Sequence, residues 1–272
     1  MEKTDINGKS LLPLANKKLF LLDQDGTLYE GDHLFPATQR FLSVLKKANI
    51  SYMFITNNSS RSIKDYVKKM DKLGIESSPE EFYTSVEATL LYIKSHYPHQ
   101  TVYPVGTASF IQSLVENGIE LASIEKADIA LLAYDTEITY EKLVALSKML
   151  TLRDVIYLAT NPDWVCPTSF GFIPDCGSMA FMIEKATGKK PLFIGKPSPL
   201  MINTILNNRH LNKEDVVVIG DRLYTDIASA QNAGVDSIAV LSGEVTLDEI
   251  KKYSPPPTYV INDVGDLINL FK

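Results

Sequence analysis

The stretch "LFLLDQDGTLYEG", Leu19 to Gly31, drives a run of apolar residues straight into two carboxylates, Asp23 and Asp25, with one residue between them. An apolar run of this length bounded by turn residues has the signature of a buried strand. Two solvated turn aspartates would explain this stretch alone, so the rest of the chain decides its reading. Three further apolar runs end in the same manner: "YMFI" at Thr56, Asn57 and Asn58, "LFI" at Gly195 and Lys196, and "VVVI" at Gly220 and Asp221, with Asp226 five residues on. In an open parallel sheet the carboxyl ends of the strands lie along one edge, and ligands bind in the crevice outside them. The four polar strand ends are therefore expected to meet.

Between these runs, strand and helix signals alternate. "PATQRFLSVLKKAN" carries Phe41, Leu42 and Leu45 at helical spacing. In "SIKDYVKKMDKLG" the residues Ile63, Val67, Met70 and Leu73 form an apolar stripe with the lysines opposite as a solvated face, and Gly74 stands as the stop. After the middle of the chain come "PLFIGK", a helix capped by Ser198 with Pro199 as its first residue, "DVVVIGD", a helix from about Asp226 to Ala233, and "DSIAVLSG". The alternation predicts an α/β fold, a Rossmann-like parallel sheet with helices on both faces. A stretch from about Ser85 to Lys190 has its own alternation, in "TVYPVG", "ASFIQSLVENG", "DIALLAYD", "YEKLVALSKML" and "DVIYLATNPD". It reads as a second α/β unit, 85–190, inserted into a core of 1–84 and 191–272.

The composition restricts the function classes. A 45% hydrophobic and 22% charged chain of 272 residues has the profile of a folded soluble protein. The formal net charge of −6, with no stripe of Lys and Arg, argues against a nucleic-acid partner. No segment approaches the ~20 continuous apolar residues of a membrane span, and "MEKTDINGKSLLPLANKK" lacks the apolar core of a secretion signal, so a cytoplasmic location is expected. Cys166 and Cys176 have no second pair at metal-ligand spacing and read as free thiols; His33, His96, His99 and His210 are scattered.

The polar strand ends supply carboxylates, a hydroxyl, amides and a lysine. Carboxylates this close raise each other's pKa unless a cation sits among them, and hard oxygen ligands suit Mg2+. Around such a cation the hydroxyl, turn amides and ammonium make a receptor for a phosphoryl group, whose transfer needs mostly positioning and charge neutralisation. Of two carboxylates two residues apart, one can attack phosphorus while the other moves the proton.

At these residues the chain resembles the haloacid dehalogenase-type phosphatases: "DQDGT" matches their D-x-D-G-T signature, "FITNN" the hydroxyl motif, "GKPSP" the lysine motif and "GDRLYTD" the paired acidic motif. "ATNPD", "GFIPDCGSM" and "IEKATGKKP" are similar to the 4-nitrophenylphosphatase or NagD-like branch, whose α/β cap is inserted between the second and third motifs. The resemblance implies Asp23 as nucleophile and Asp25 as general acid and base. It implies Asp23, the backbone oxygen of Asp25, and Asp221 as Mg2+ ligands, with Thr56, the Asn57 amide and Lys196 on the phosphate. Asn58 and Asp226 would support them. The substrate class implied is a small phosphorylated metabolite, such as a sugar phosphate or nucleoside monophosphate, with room for a homo-oligomer.

In the inserted stretch, Asn161 and Asp163 read equally as site residues or as a turn; Trp164, Phe170 and Phe172 read as lid or core; Cys176 and Gly177 read as a tight turn. The competing function is a phosphate- and Mg2+-binding regulatory module without turnover. A receiver-like module places its phosphorylated aspartate after its metal acids, the reverse of the order here. A dinucleotide-binding reading fails for want of a G-x-G-x-x-G turn after the first strand.

Overall fold

The structure, a computed structural model, describes residues 3–168 and 170–271. It divides into two compact units, one drawn from Met1–Thr56, Val67–Tyr83 and Pro199–Lys272, the other from Asn57–Tyr66 and Thr84–Ser198. In chain order, the strands of the two main sheets are β1 (Leu19–Leu22), β2 (Ser51–Thr56), β3 (Phe82–Thr84), β4 (Val102–Val105), β5 (Ile129–Leu132), β6 (Ile156–Ala159), β7 (Leu192–Phe193), β8 (Val216–Gly220), β9 (Asp236–Val240) and β10 (Tyr259–Ile261).

The first unit is built on a six-stranded sheet in the order β10-β9-β8-β1-β2-β3. β1 pairs in parallel with β8 on one side, Leu19 opposite Val216, and with β2 on the other, Leu19 opposite Ser51. From β1 the chain winds outward through β2 and β3, then returns to the far side of β1 as β8. The strand order therefore reverses between β1 and β8, the place where an open parallel sheet opens a ligand crevice. Being covered on both faces explains why β1 and β8 are apolar throughout: every residue of both is buried. Leu19 and Leu21 pack with Val216, Val218, Ile202 and Ile205 on one face. Phe20 points to the other, edge-on to Phe41 and Phe271.

The second unit holds a four-stranded sheet, β7-β6-β5-β4, with parallel pairing throughout. Its core joins Val105, Ala130, Leu132, Leu146, Met149, Ala180 and Ile183. An antiparallel hairpin, Val165–Thr168 with Gly171–Pro174, precedes the helix Cys176–Thr187. The α/β class and parallel sheets are as expected.

Several local expectations change. "LFI" is not a strand of the first sheet: β7 pairs with β6, and the ladder continues from Ile194 N–H to Ala159 O at 3.0 Å and Gly195 N–H to Thr160 O at 2.7 Å. These bonds carry residues up to Ser198 into the second unit, past the 190/191 division expected from sequence, and Asn57–Tyr66 join it as well. The helix after them starts at Leu200 with Pro199, not Ser198, at the cap position. The helix expected from Asp226 opens earlier, with a wide π-type turn over Leu223–Ile227 before Ala228–Ala233. Cys176 and Gly177 form no separate turn but the first turn of their helix, capped by Asp175. A side chain at Gly177 would meet the Pro162 carbonyl at 2.2 Å, which explains the glycine.

Candidate active site

In the first unit the sheet edge gathers an acidic cluster at the reversal point. The Asp23 N–H donates to Ile219 O at 2.9 Å, extending the β1–β8 ladder by one residue and fixing where Asp23 leaves the strand. Asp23 and Asp25 are half-buried while Gln24 between them is buried and accepts from the Tyr29 hydroxyl at 2.9 Å. The strand-like alternation thus continues past β1 and sets both acids apart from the interior. Asp221 follows β8 directly, and Asp226 sits on the wide turn behind it. Asp23, Asp221 and Asp226 each offer a carboxylate oxygen within 4.8 Å of the others. Thr56, at the end of β2 and buried, reaches the same sheet edge next to β1.

Glycines make room for this cluster. Gly26, at φ +82°, lies so close to Asp221 that a Cβ there would stand 2.2 Å from its Oδ2, and one at Gly243 would stand 2.1 Å from the same atom. A Cβ at Gly220 would meet Asp226 at 2.3 Å. Gly26→Ala is accordingly expected to cost more than the ~1 kcal/mol of a left-handed alanine, because Asp221 must also move. A lowered urea midpoint together with lost activity checks this; an unchanged midpoint contradicts it.

The electrostatics of Asp221 single out a cation. Its Oδ2 accepts the Glu244 N–H at 2.8 Å, while Oδ1 is buried with no hydrogen-bond partner among the described residues. Burial first, then the neighbouring Asp226 charge, pushes its carboxyl up to about 7. A buried carboxylate oxygen without a donor, on a residue clustered with two more acids, is what a hard divalent cation satisfies. The residues therefore fit a divalent cation such as Mg2+, which Asp23, Asp221 and Asp226 could hold. Asp226 also accepts the Arg222 N–H at 3.2 Å, and Arg222 pairs with Glu244 at 2.9 Å, so the acids are braced from behind.

Sequence reasoning missed two parts of this arrangement. Ser242, Gly243 and Glu244 end β9 on the same edge: Ser242 Oγ donates to Gly26 O at 2.8 Å and Glu244 N–H to Asp221. The apolar run "SIAVL" ending at Ser242 carried that signal. The second is Lys69, which is no part of a solvated face. Tyr66 and Met70 are the buried residues of its helix, Ile63–Lys72, with Ile63, Val67 and Leu73 only half-buried. Lys69, three residues from Tyr66, turns inward to lie 3.6 Å from Asp25 Oδ1 and 3.9 Å from the centre of the Tyr29 ring.

In the second unit, Asn57 grips the lysine motif. Its side-chain oxygen accepts the Lys196 N–H at 2.8 Å, and its Nδ2 donates to Lys196 O and to Asp163 Oδ1, both at 2.9 Å. The Asn57 side chain is thereby committed to positioning Lys196, whose side chain is buried. Asn58 Oδ1 accepts from Ser60 N–H and Oγ, closing the turn after β2. Asp163 is bonded to Asn57, and Asn161 Nδ2 donates to Asp175 at 3.2 Å, so "NPD" is a buried bracing segment of this unit. Trp164, Phe170 and Phe172 are exposed rather than core. Burial pushes the Cys176 thiol up to about 12, which leaves it unreactive.

Comparison with known proteins places the chain among relatives. A family profile described as haloacid dehalogenase-like hydrolase matches residues 20–120, and a second, HAD-hydrolase-like, matches 193–267. The acid sugar phosphatase of Staphylococcus saprophyticus is 34% identical over 255 residues, spanning 94% of this chain and 98% of the relative. Among solved structures, the 4-nitrophenylphosphatase of Thermotoga maritima superposes with a TM-score of 0.91 at 35% identity, covering 96% of this chain and 99% of that one. NagD from Escherichia coli K-12 gives 0.84 at 28% identity, covering 92% and 98%.

Proposed function

This chain belongs to the haloacid dehalogenase-like hydrolases, in their 4-nitrophenylphosphatase and NagD-like branch, and from that premise we propose how its residues hydrolyse a small phosphate monoester. The observation that carries the proposal is the meeting of Asp23, Asp221 and Asp226 at the strand-order reversal, with a buried oxygen of Asp221 that has no hydrogen-bond partner among the described residues.

Asp23 is the nucleophile. One carboxylate oxygen forms a bond to phosphorus as the bond to the leaving oxygen breaks, giving an aspartyl-phosphate. Asp25 gives its proton to that leaving oxygen, then takes a proton from the water that attacks phosphorus, releasing phosphate and restoring Asp23. Asp23, the Asp25 backbone oxygen and Asp221 would hold Mg2+, which would supply charge neutralisation when bound. Thr56 and the backbone N–H of Asn57 bind phosphate oxygens, and Lys196 offsets the charge of nucleophile and phosphate. For Asn57 and Lys196 the support is the "TNN" and "GKPSP" motifs together with the Asn57 clamp on the Lys196 backbone. Asn58 and Asp226 steady these groups. The stretch about 85–190 serves as the cap, its own parallel sheet supporting that reading.

The substrates belong with the sugar phosphates and similar metabolites, following relatives named acid sugar phosphatase. Among the described residues no helix is long and apolar enough to cross a membrane. The chain has only two cysteines in 272 residues, which supports a cytoplasmic location.

Phosphate release from a panel of phosphorylated metabolites and 4-nitrophenyl phosphate, with magnesium and then with chelator, tests the function. Magnesium-dependent release is the expected result; binding of phosphate without release contradicts it. Within the panel, Asp25→Asn is expected to slow alkyl phosphates by about 10²-fold or more and the aryl ester less, because nitrophenolate leaves without a proton. Equal losses would remove the acid role.

A further inference from the structure

Lys69 combines features that a surface lysine does not. It is 15% exposed, and its ammonium lies between the Asp25 carboxylate at 3.6 Å and the face of Tyr29 at 3.9 Å. Tyr29 is itself fully buried, with its hydroxyl held by Gln24, and its backbone oxygen accepts the Gly26 N–H at 2.8 Å. The loop that carries Asp25 therefore folds back so that the acid and the ring meet the same ammonium. A cation over an aromatic face beside a carboxylate is held by two attractions at once, and losing either leaves the side chain several rotamers to choose from. The Asp25 side chain, by contrast, is 39% exposed.

We propose that Lys69 is a positioning residue: through its contacts with Asp25 and Tyr29 it holds the Asp25 carboxyl where it serves the leaving oxygen. This rests on the reading of Asp25 as general acid and base. Nothing else in the mechanism uses Lys69. Its effect falls on the step in which a proton is transferred, and so on substrates that need one.

Lys69→Met and Lys69→Arg, assayed with magnesium on an alkyl phosphate and on 4-nitrophenyl phosphate, test the idea, with melting curves to confirm folding. The expected result is a loss of about tenfold in kcat on the alkyl ester. The loss on the aryl ester is smaller, KM is little moved on either, and Lys69→Arg recovers most of the activity. A purely structural role would lower kcat on both substrates alike, and a phosphate-binding role would raise KM on both; either result overturns the proposal. Should Lys69→Met not fold, Lys69→Gln gives the same comparison while keeping a polar end. If the wild-type enzyme hydrolyses neither ester, the phosphatase reading itself fails, which is a different outcome from unequal loss in the variant.

Discussion

Replacing Asp23 with asparagine is expected to reduce phosphate release at least about 10³-fold while leaving the fold intact, since removal of a covalent nucleophile is among the costliest single changes to an enzyme. The side chain is half-buried and the change conserves its size. Its strand position is fixed by the backbone bond to Ile219, which the substitution does not touch. The variant should therefore melt within a few degrees of the wild type. Phosphate release by inorganic phosphate assay, on protein freed of host phosphatases, decides the matter. Retained turnover would make Asp23 something other than the nucleophile.

Asp221→Asn is expected to act in opposite directions on stability and activity. Asp221 is held up to about 7 by burial and by Asp226, against 3.8 for an ordinary aspartate. A carboxyl whose folded pKa lies above its unfolded value favours the folded state below the unfolded value, and that contribution is lost as pH rises through the folded one. Metal-free wild-type protein should thus lose stability between about pH 4 and pH 7 by at most about 4 kcal/mol. Asparagine removes this charge, keeps an acceptor for the Glu244 N–H, and offers its amide to Asp226. At pH 8 the metal-free variant should melt higher than the metal-free wild type. Magnesium should raise the wild-type melting temperature more at pH 8 than at pH 5, and should leave the variant unmoved and inactive. A variant that still melts higher with magnesium would take Asp221 out of the metal site.

The site was legible in sequence wherever burial writes a plain pattern. Strands covered on both faces are apolar throughout, so β1 and β8 stand out, and the residues that end them, Asp23 and Asp221, stand out with them. That Asp226 belongs with these two followed from its short spacing to Asp221. Which sheet receives a strand is another matter. β7 has only two paired residues, and nothing in "LFIGK" distinguishes a partner in β6 from one in β1. Lys69 was illegible for a different reason. A helical wheel assigns a face to each Cα, but a lysine's long stem lets its ammonium reach back to a ring and an acid that belong to another element. The buried pair on that helix, Tyr66 and Met70, flanks Lys69 more closely than the apolar stripe suggested. Gly243 and Glu244 followed the same strand-end rule as the others and lie some twenty residues beyond the acids they support.

The central claim is a covalent bond between Asp23 and phosphorus. Enzyme mixed rapidly with 4-nitrophenyl phosphate, quenched in acid and reduced with borohydride converts an acyl phosphate to an alcohol, which peptide mass mapping locates. Tryptic cleavage releases Leu19 to Arg40 as one fragment, carrying Asp23, Asp25 and Asp32 together. Fragmentation sequencing is predicted to place the reduced residue at Asp23, and only when substrate was present. An enzyme that turns over under the same conditions with Asp23 unreduced, or with another acid reduced instead, would contradict the mechanism.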